Sequence, residues 1–298
     1  MSSMSHRRAV ALMVLATLLW SIAGVVTRHL DAARSFEVTF WRSLFNALTL
    51  LVVLLPLRGT ALFRDILAGR RVIWFSGLCW ATMYTAFMVA LTLTSVANVL
   101  VAMATGPLLT ALAARIFLGD RLPAHTWAAI AVAGLGIAWM FGAEAMRGAS
   151  LAGSLVALSV PLGSSANFTL LQQQARRARD GGERQDMLPA VLLGATLSAA
   201  VTLPLAWPLQ ASGHDIGLLA LLGTVQLAIP CLLVVRLSRE LPATELALLA
   251  LLEVIFGVLL ALLGANEVPS GSTLAGGALV LGALAVNQWL AMRQPTLQ

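Results

Sequence analysis

The sequence predicts an all-α polytopic membrane protein, and three observations carry that prediction. First, hydrophobic residues make up 59% of the 298 residues and charged residues 11%, where a soluble domain carries roughly 25% charged. A water-soluble chain of this length has no single core large enough to hide so much apolar surface. Second, the charges fall between long uncharged runs: 19 residues between Arg8 and Arg28, 22 between Arg121 and Glu144, 20 between Asp215 and Arg236, and 25 between Glu267 and Arg293. A bilayer core is spanned by about 20 helical residues. Third, all 19 basic residues are arginine, and they sit in short segments between the runs. The net charge of +6 is therefore spread along the chain instead of forming the single basic patch that nucleic acid binding would need.

Ten helices follow in order. Residues 9–28 come after the basic "HRR" and read as a first anchor, since nine further spans make a cleaved signal peptide the poorer reading. Residues 36–57 form the second span and carry Arg42. From Val72 to Ala114 there are 43 uncharged residues, which as one helix would be ~65 Å long. Two spans, 72–92 and 95–116, joined by a tight turn within "LTSVAN" at 93–98, resolve this. The fifth span, 123–143, is rich in small residues, and the sixth, 150–175, contains Pro161. Spans at 187–208 and 216–236 follow, the latter containing Pro230. The ninth, 243–264, reads "ELALLALLEVIFGVLLALLG" from Glu245 and holds Glu253 in its middle. The tenth is 271–292. An even number of crossings places both termini on one side. With the N-terminus inside, the inner segments hold 15 arginines and the outer ones three, Arg28, Arg34 and Arg147. That asymmetry predicts cytoplasmic termini in an inner (plasma) membrane protein.

The chain also repeats itself. "TSVANVLVAMATGPLLTALAARIFLGDRLPAHTWA" from Thr94 aligns without a gap on "LPATELALLALLEVIFGVLLALLGANEVPSGSTLA" from Leu241, at an offset of 147. Each is an apolar helix, a short turn with an acid (Asp120 or Glu267) and a helix rich in small residues; Thr126-x-Ala128 falls on Thr273-x-Ala275. Five helices per half is an odd number, so the second half, 150–292, enters the membrane inverted relative to the first, 9–143. Inverted halves are a common transporter architecture, with the substrate site between them at mid-depth. These segments, with "LLWSIAGVVTR" at 18–28 and "FWRSLFNAL" at 40–48, resemble the EamA-type members of the drug/metabolite transporter superfamily. The resemblance implies two inverted five-helix repeats and export of metabolites, amino acids included; the aromatic-amino-acid exporters are one branch it points to. One departure stands out: the family's Glu-Pro pair in helix nine is Glu253-Val254 here, while the first half has Gly106-Pro107.

Polar residues at depth are the candidate site. Trp41, Trp74, Trp127, Trp139, Trp207 and Trp289 fall near span ends, as an interfacial belt does. Trp20 and Trp80 do not, and Tyr84, the only tyrosine, shares a helix face with Trp80. Aromatic walls of this kind suit an apolar, aromatic or cationic substrate. Ser21, Asn98, Ser164, Asn167 and Gln226 are deep small polar groups, read either as cavity lining or as interhelical hydrogen bonding. Pro107, Pro161 and Pro230 each remove a backbone donor inside a span, which a wet cavity tolerates. Helices five and ten, with Ala129/Ala133, Gly134/Ala138 and Ala278/Gly282 at four-residue spacing, read as a close-packed scaffold or dimer contact. A mid-span acid costs about 2.5–3.5 kcal/mol or more when charged. Glu253 therefore calls for a proton, a basic partner such as Arg42, or water; it serves either as a proton carrier or as a neutral strut hydrogen-bonded to a neighbouring helix. Glu245 near the helix start needs no such account. The site so predicted comprises Trp20, Ser21, Trp80, Tyr84, Asn98, Asn167 and Gln226 for substrate, and Glu253, Arg42, Pro107 and Pro230 for coupling or gating.

The function this predicts is a secondary exporter of small metabolites, amino acids foremost, working by alternating access. A channel, a non-transporting scaffold, and carriers of drug-like cations or phosphate esters are the alternatives; a phosphate-ester antiporter calls for several deep basic residues, and only Arg42 is deep. An enzyme is not expected: the four histidines lie in loops or at span edges, and no metalloprotease, nucleophile-elbow or P-loop motif is present. Cys79 and Cys231 both lie inside spans and suggest neither a disulfide framework nor a metal site. No cofactor and no nucleic acid is expected; the partners are a small-molecule substrate and the lipid bilayer, with proton coupling and the choice between monomer and homodimer left open.

Overall fold

The computed structural model describes residues 5–67, 71–119, 121–146, 151–179, 181, 186–238, 240–241 and 243–293. Arg70, Asp120, Arg147, Arg184 and Arg239 lie outside the described residues. Among these residues the fold is wholly helical: α1 His6–Thr27, α2 Ser35–Arg58, α3 Ala61–Leu67, α4 Arg71–Leu93, α5 Val96–Met103, α6 Gly106–Leu118, α7 Ala124–Met146 and α8 Leu151–Arg179. There follow α9 Leu188–Ala206, α10 Gly213–Leu221, a π-helical stretch Leu222–Ala228, α11 Ile229–Leu237, α12 Ala243–Ala250, α13 Leu252–Ala265 and α14 Gly271–Arg293. Eight stretches are long and apolar enough to cross a bilayer, from His6–Thr27 to Gly213–Leu237; Leu252–Ala265 and Gly271–Asn287 are shorter apolar helices. The outward surface is correspondingly greasy, with Leu263 78% and Val52 72% exposed, as lipid-facing helices require.

Two spans are broken, and at the same register. α5 ends at Met103 and α6 begins at Gly106; α12 ends at Ala250 and α13 begins at Leu252. Met103 and Ala250 are 147 residues apart, the offset of the sequence repeat. In the first copy Pro107 sits in the first turn of α6 and cannot donate to the carbonyl of Met103, so the helix restarts. The break is tightened by Thr105, whose backbone N–H and hydroxyl both donate to the carbonyl of Ala102, at 3.2 and 2.7 Å. In the second copy no proline is present, and the turn closes with the Val254 N–H donating to the Leu251 carbonyl at 3.0 Å. The turn predicted at 93–98 falls at Thr94–Ser95, where the Ser95 hydroxyl caps α5 by accepting from the Asn98 N–H.

The helices interleave. α7 lies along α14, α2 along α9, α1 along α13, and α4 packs between α8 and α9. Each of these pairings joins the first half of the chain to the second, and one continuous apolar core runs through both. The α7–α14 crossing is close: a Cβ on Gly276 would meet the Gly136 carbonyl oxygen at 2.7 Å, and one on Gly136 would meet the Gly276 carbonyl oxygen at 2.9 Å. Small residues thus build this contact, as expected, and Ala129 and Ala133 are buried. The expected pairs Gly134/Ala138 and Ala278/Gly282 are not part of it: these four residues face outward. Both threonines of the repeated Thr-x-Ala bond across helices, Thr126 to the Asn287 side-chain oxygen at 2.9 Å and Thr273 to that of Asn98.

Both ends of the bundle are tied. At the end carrying the N-terminus, His6 meets Glu245 and Arg58 meets Asp186, each at 2.8 Å. At the opposite end three carboxylates hold the connections. Asp215 accepts from the backbone N–H groups of Asp31, Ala32 and Ala33 at 2.7–3.0 Å. Glu37 accepts from those of Gln210 and Ala211 at 2.8 and 2.7 Å. Glu267 binds Arg28 Nε at 2.8 Å and the Val96 N–H at 2.6 Å, while Arg28 also donates to the carbonyls of Leu91 and Thr94 at 2.9 and 3.0 Å. Since His6 and Arg28 bracket α1 as Glu245 and Glu267 bracket α12–α13, the two run parallel in fixed register.

Candidate functional site: a central cavity between the two halves

A cavity of about 120 Å³ lies at mid-height of the bundle, room for several waters. Its wall is mostly apolar and is drawn from both halves. α4 supplies the face Trp80, Met83, Tyr84 and Phe87, at the three- and four-residue spacing of one helix side. α1 contributes Trp20, α2 Arg42, and the α5–α6 break Met103, Gly106 and Pro107. From the second half come Pro161, Ser164 and Phe168 of α8, Gln226 of the π-helical stretch, Cys231, and Leu251, Glu253 and Val254 around the α12–α13 break.

Among the described residues Arg42 is the buried arginine, 2% exposed. Its Nε donates to the Gln226 side-chain oxygen at 3.1 Å, its Nη1 reaches the Tyr84 carbonyl at 3.5 Å, and the guanidinium lies 5.6 Å from the Phe87 ring centre. Gln226 in turn donates from Nε2 to the Trp20 carbonyl at 3.2 Å, so it joins α1 and α2 through the π-helical stretch. That stretch has a local cause: Pro230 has no N–H for the Gln226 carbonyl, and the Ile229 N–H bonds five residues back, to Thr224. A Cβ at Gly223 would meet the Arg42 carbonyl oxygen and Phe45 Cβ, both at 2.6 Å; only glycine lets α2 approach this closely.

Trp80 and Tyr84 stack obliquely, ring centres 5.5 Å apart and planes 30° apart. Both are buried, and neither the Trp80 indole N–H nor the Tyr84 hydroxyl has a hydrogen-bond partner among the described residues. Asn46, one turn after Arg42, is fully buried, and its amide nitrogen and oxygen likewise find no partner among them. Glu253, 6% exposed in the first turn of α13, faces the same cavity. No hydrogen bond or ion pair engages its carboxylate among the described residues, so the expected strut to a neighbouring helix finds no partner. The Arg42–Glu253 contact expected as one alternative is not formed as an ion pair; the two side chains line the same cavity.

Of the sequence-predicted residues, Trp20, Trp80, Tyr84, Gln226, Arg42, Glu253 and Pro107 come together at this wall. Ser21, Asn98, Asn167 and Pro230 lie outside it. The Ser21 hydroxyl donates to the Leu18 carbonyl of its own helix at 2.7 Å. Asn98 bonds Thr94 and Thr273, joining α5 to α14. Asn167 accepts from Ser76 at 2.6 Å between α8 and α4, and Pro230 is buried at the start of α11. Asn98 and Asn167 thus hold helices together, the alternative already open for the polar residues. Met83, Phe87, Phe168 and Asn46 escaped the sequence reading; the first two continue the Trp80/Tyr84 spacing and were findable from it.

One cluster of potential metal ligands is present among the described residues: Asp31, His214 and Asp215, within 4.8 Å of one another at the end opposite the N-terminus. The Asp215 oxygens are already engaged by backbone N–H groups, so the arrangement reads as a loop clasp. Among the described residues the central cavity is lined by one carboxylate, Glu253, and one thiol, Cys231, which do not make up a metal-ligand set.

The comparisons with known proteins agree with this geometry. Over 279 residues, 92% of this chain and 94% of that protein, the sequence is 26% identical to the pseudopaline exporter CntI of Pseudomonas aeruginosa, with the same figures for strains UCBPP-PA14 and PAO1. A crystal structure of a protein 21% identical in sequence superposes with a TM-score of 0.66, covering 97% of this chain and 99% of that one; at this identity the likeness is one of fold. The sequence pattern of EamA-like transporters matches twice, over residues 7–142 and 151–288. A multi-pass membrane protein built of two such repeats, the chain belongs to the EamA-like transporter family.

Proposed function

We propose that the protein is a secondary exporter of small metabolites, with amino acids, aromatic and other neutral ones included, as the substrate class. The observation that carries this reading is the central cavity, whose wall is drawn from both repeats and carries a cation, Arg42, and an acid, Glu253, with no ion-pair partner among the described residues, on a mostly apolar, aromatic surface. A site shared between two repeats is what alternating access needs: rocking one against the other opens it to each side in turn. In this reading the chain crosses the membrane ten times, with α5–α6 and α12–α13 each counted as one broken crossing. The repeats, 9–143 and 150–292, are inverted; both termini are cytoplasmic and the membrane is the inner (plasma) membrane. The broken helices suit a carrier, because irregular backbone at depth is tolerated where it lines a cavity. Family membership and an exporter among the relatives support outward transport of a small molecule, and no enzymatic role is proposed. Glu253 is the candidate for proton coupling.

Counterflow in proteoliposomes tests the reading. Vesicles preloaded with an unlabelled amino acid are expected to take up the labelled one transiently and saturably. Uptake that rises linearly with concentration and shows no counterflow would mean a channel, and no movement of any amino acid in the panel would remove the substrate class.

A further inference from the structure

We infer that the Arg42–Trp80–Tyr84 wall is a carboxylate subsite, which takes the single acid group of the transported molecule and orients it. The inference rests on the reading of the cavity as the transport site and deepens it.

The donors are in surplus there. Arg42 carries five N–H groups, of which, among the described residues, only those to Gln226 and the Tyr84 carbonyl are used, the second at 3.5 Å. Lining the same cavity, the Trp80 indole N–H has no acceptor among the described residues. The Tyr84 hydroxyl stands near Asn46 and Cys231 without a hydrogen bond of good geometry to either. Buried donors left unmatched are costly, and the group that relieves several at once is a carboxylate, with two oxygens, four acceptor sites and the charge that matches a guanidinium. Aromatic walls alone would suit a cation, but a buried guanidinium stacked on Phe87 repels one from this side. Glu253 on another wall of the same cavity sets the other limit: when ionised it disfavours a second acid on the ligand. Phosphate is disfavoured because it brings more negative charge than one arginine answers.

The test is binding to the purified full-length protein in detergent, read as the shift of its thermal unfolding midpoint with ligand concentration. The probes are phenylalanine, 3-phenylpropionate, 3-phenylpropionamide, phenethylamine and inorganic phosphate. Phenylalanine and 3-phenylpropionate are expected to stabilise the protein saturably, and the amide, the amine and phosphate are not. Arg42→Gln is expected to weaken the two carboxylates about 10- to 100-fold, and Trp80→Phe, which keeps the ring and loses one donor, about 2- to 10-fold. Arg42→Lys keeps the charge, loses the fork and is expected to fall between wild type and Arg42→Gln. Equal binding of the amide, stabilisation by phosphate as strong as by a carboxylate, or no carboxylate stabilising the wild-type protein would each overturn the subsite. If Arg42→Gln does not fold, Trp80→Phe decides the matter, and unchanged affinity there overturns the subsite too. Failure of the transport reading looks different: carboxylates that bind without any counterflow leave the subsite standing and remove the carrier.

Discussion

Replacing Arg28 by alanine cuts the tie at the end of the bundle opposite the N-terminus. The side chain joins three elements, the end of α1, the α4–α5 turn and the α13–α14 turn, through Nε to Glu267 and through Nη1 and Nη2 to the carbonyls of Leu91 and Thr94. Arg28 and Glu267 are 30% and 19% exposed at the side chain, so the ion pair is screened and contributes about 0.5–1 kcal/mol. Each bond from a charged donor to a carbonyl adds about 1 kcal/mol after the same discount. The tie is then worth about 2–3 kcal/mol, and its loss shifts a two-state closure by about 30- to 150-fold. If closing this end is one half of alternating access, Arg28→Ala favours the state open there. A single reporter cysteine at Ser164, which lines the cavity, in a background lacking Cys79 and Cys231, should then react faster with an impermeant thiol reagent added outside cells. Arg34→Ala, exposed at the same end, is the charge-matched control and should leave the rate unchanged. A lowered thermal midpoint with no change in labelling rate would show that the tie only holds the fold, and the gating argument would fail.

Three further outcomes are expected. Single cysteines at Ser212 and Ser270 should be labelled from outside intact cells and one at Thr60 should not; the opposite pattern reverses the proposed orientation. Gly276→Ala drives a methyl against the Gly136 carbonyl and should destabilise by about 1–3 kcal/mol, whereas Gly134→Ala, with nothing within 4 Å, should leave the unfolding midpoint unmoved; equal effects would contradict the α7–α14 crossing. Glu253→Gln keeps shape and loses ionisation, so it should abolish accumulation driven by a pH gradient and spare exchange at equal pH; normal behaviour in both assays would exclude Glu253 as a proton carrier, and a fully active Glu253→Leu would exclude it from the mechanism.

What the sequence made legible was position along the membrane normal. Uncharged runs and flanking arginines located the long apolar helices to within a few residues, and the 43-residue run forced a turn that falls at Thr94–Ser95. Rotation about each helix axis was much less legible. Where a helix is apolar all round, no periodic contrast marks the inner side. Ser21 and Asn167 lie well inside their helices, whereas Asn98 sits in the first turn of α5, near the end of the bundle; all three are buried, yet turn to a carbonyl of their own helix or to a neighbouring helix. For the same reason, small residues on two sides of α7 left Gly134/Ala138 indistinguishable from the face that meets α14. The exception was α4, where Trp80 and Tyr84 are large enough to mark a side. The short α3 and the π-helical stretch had no signature beyond Pro230, and the second helix break, at Leu251, has neither glycine nor proline to announce it.

The relation of Arg42 to Glu253 shows how depth alone constrains a site. Arg42 lies seven residues into α2, ~10 Å from its start, and Glu253 lies twelve residues before the end of α13, ~18 Å from it. Both distances run from the same end of the bundle, the end opposite the N-terminus. The offset of ~8 Å brings both side chains into one cavity and keeps them out of contact. Had they met, each would have neutralised the other and the pair would present little to a ligand. Held apart, an ionised Glu253 leaves two buried charges without counterions, an arrangement that costs stability and that protonation of the acid or the charges of a ligand relieve. On the proposed reading, a ligand carrying an acid and, a few bonds away, a basic nitrogen answers both charges at once. In that reading a bare cation meets Arg42 and a dianion meets an ionised Glu253, so both are disfavoured, while the aromatic surface between them accepts many side chains.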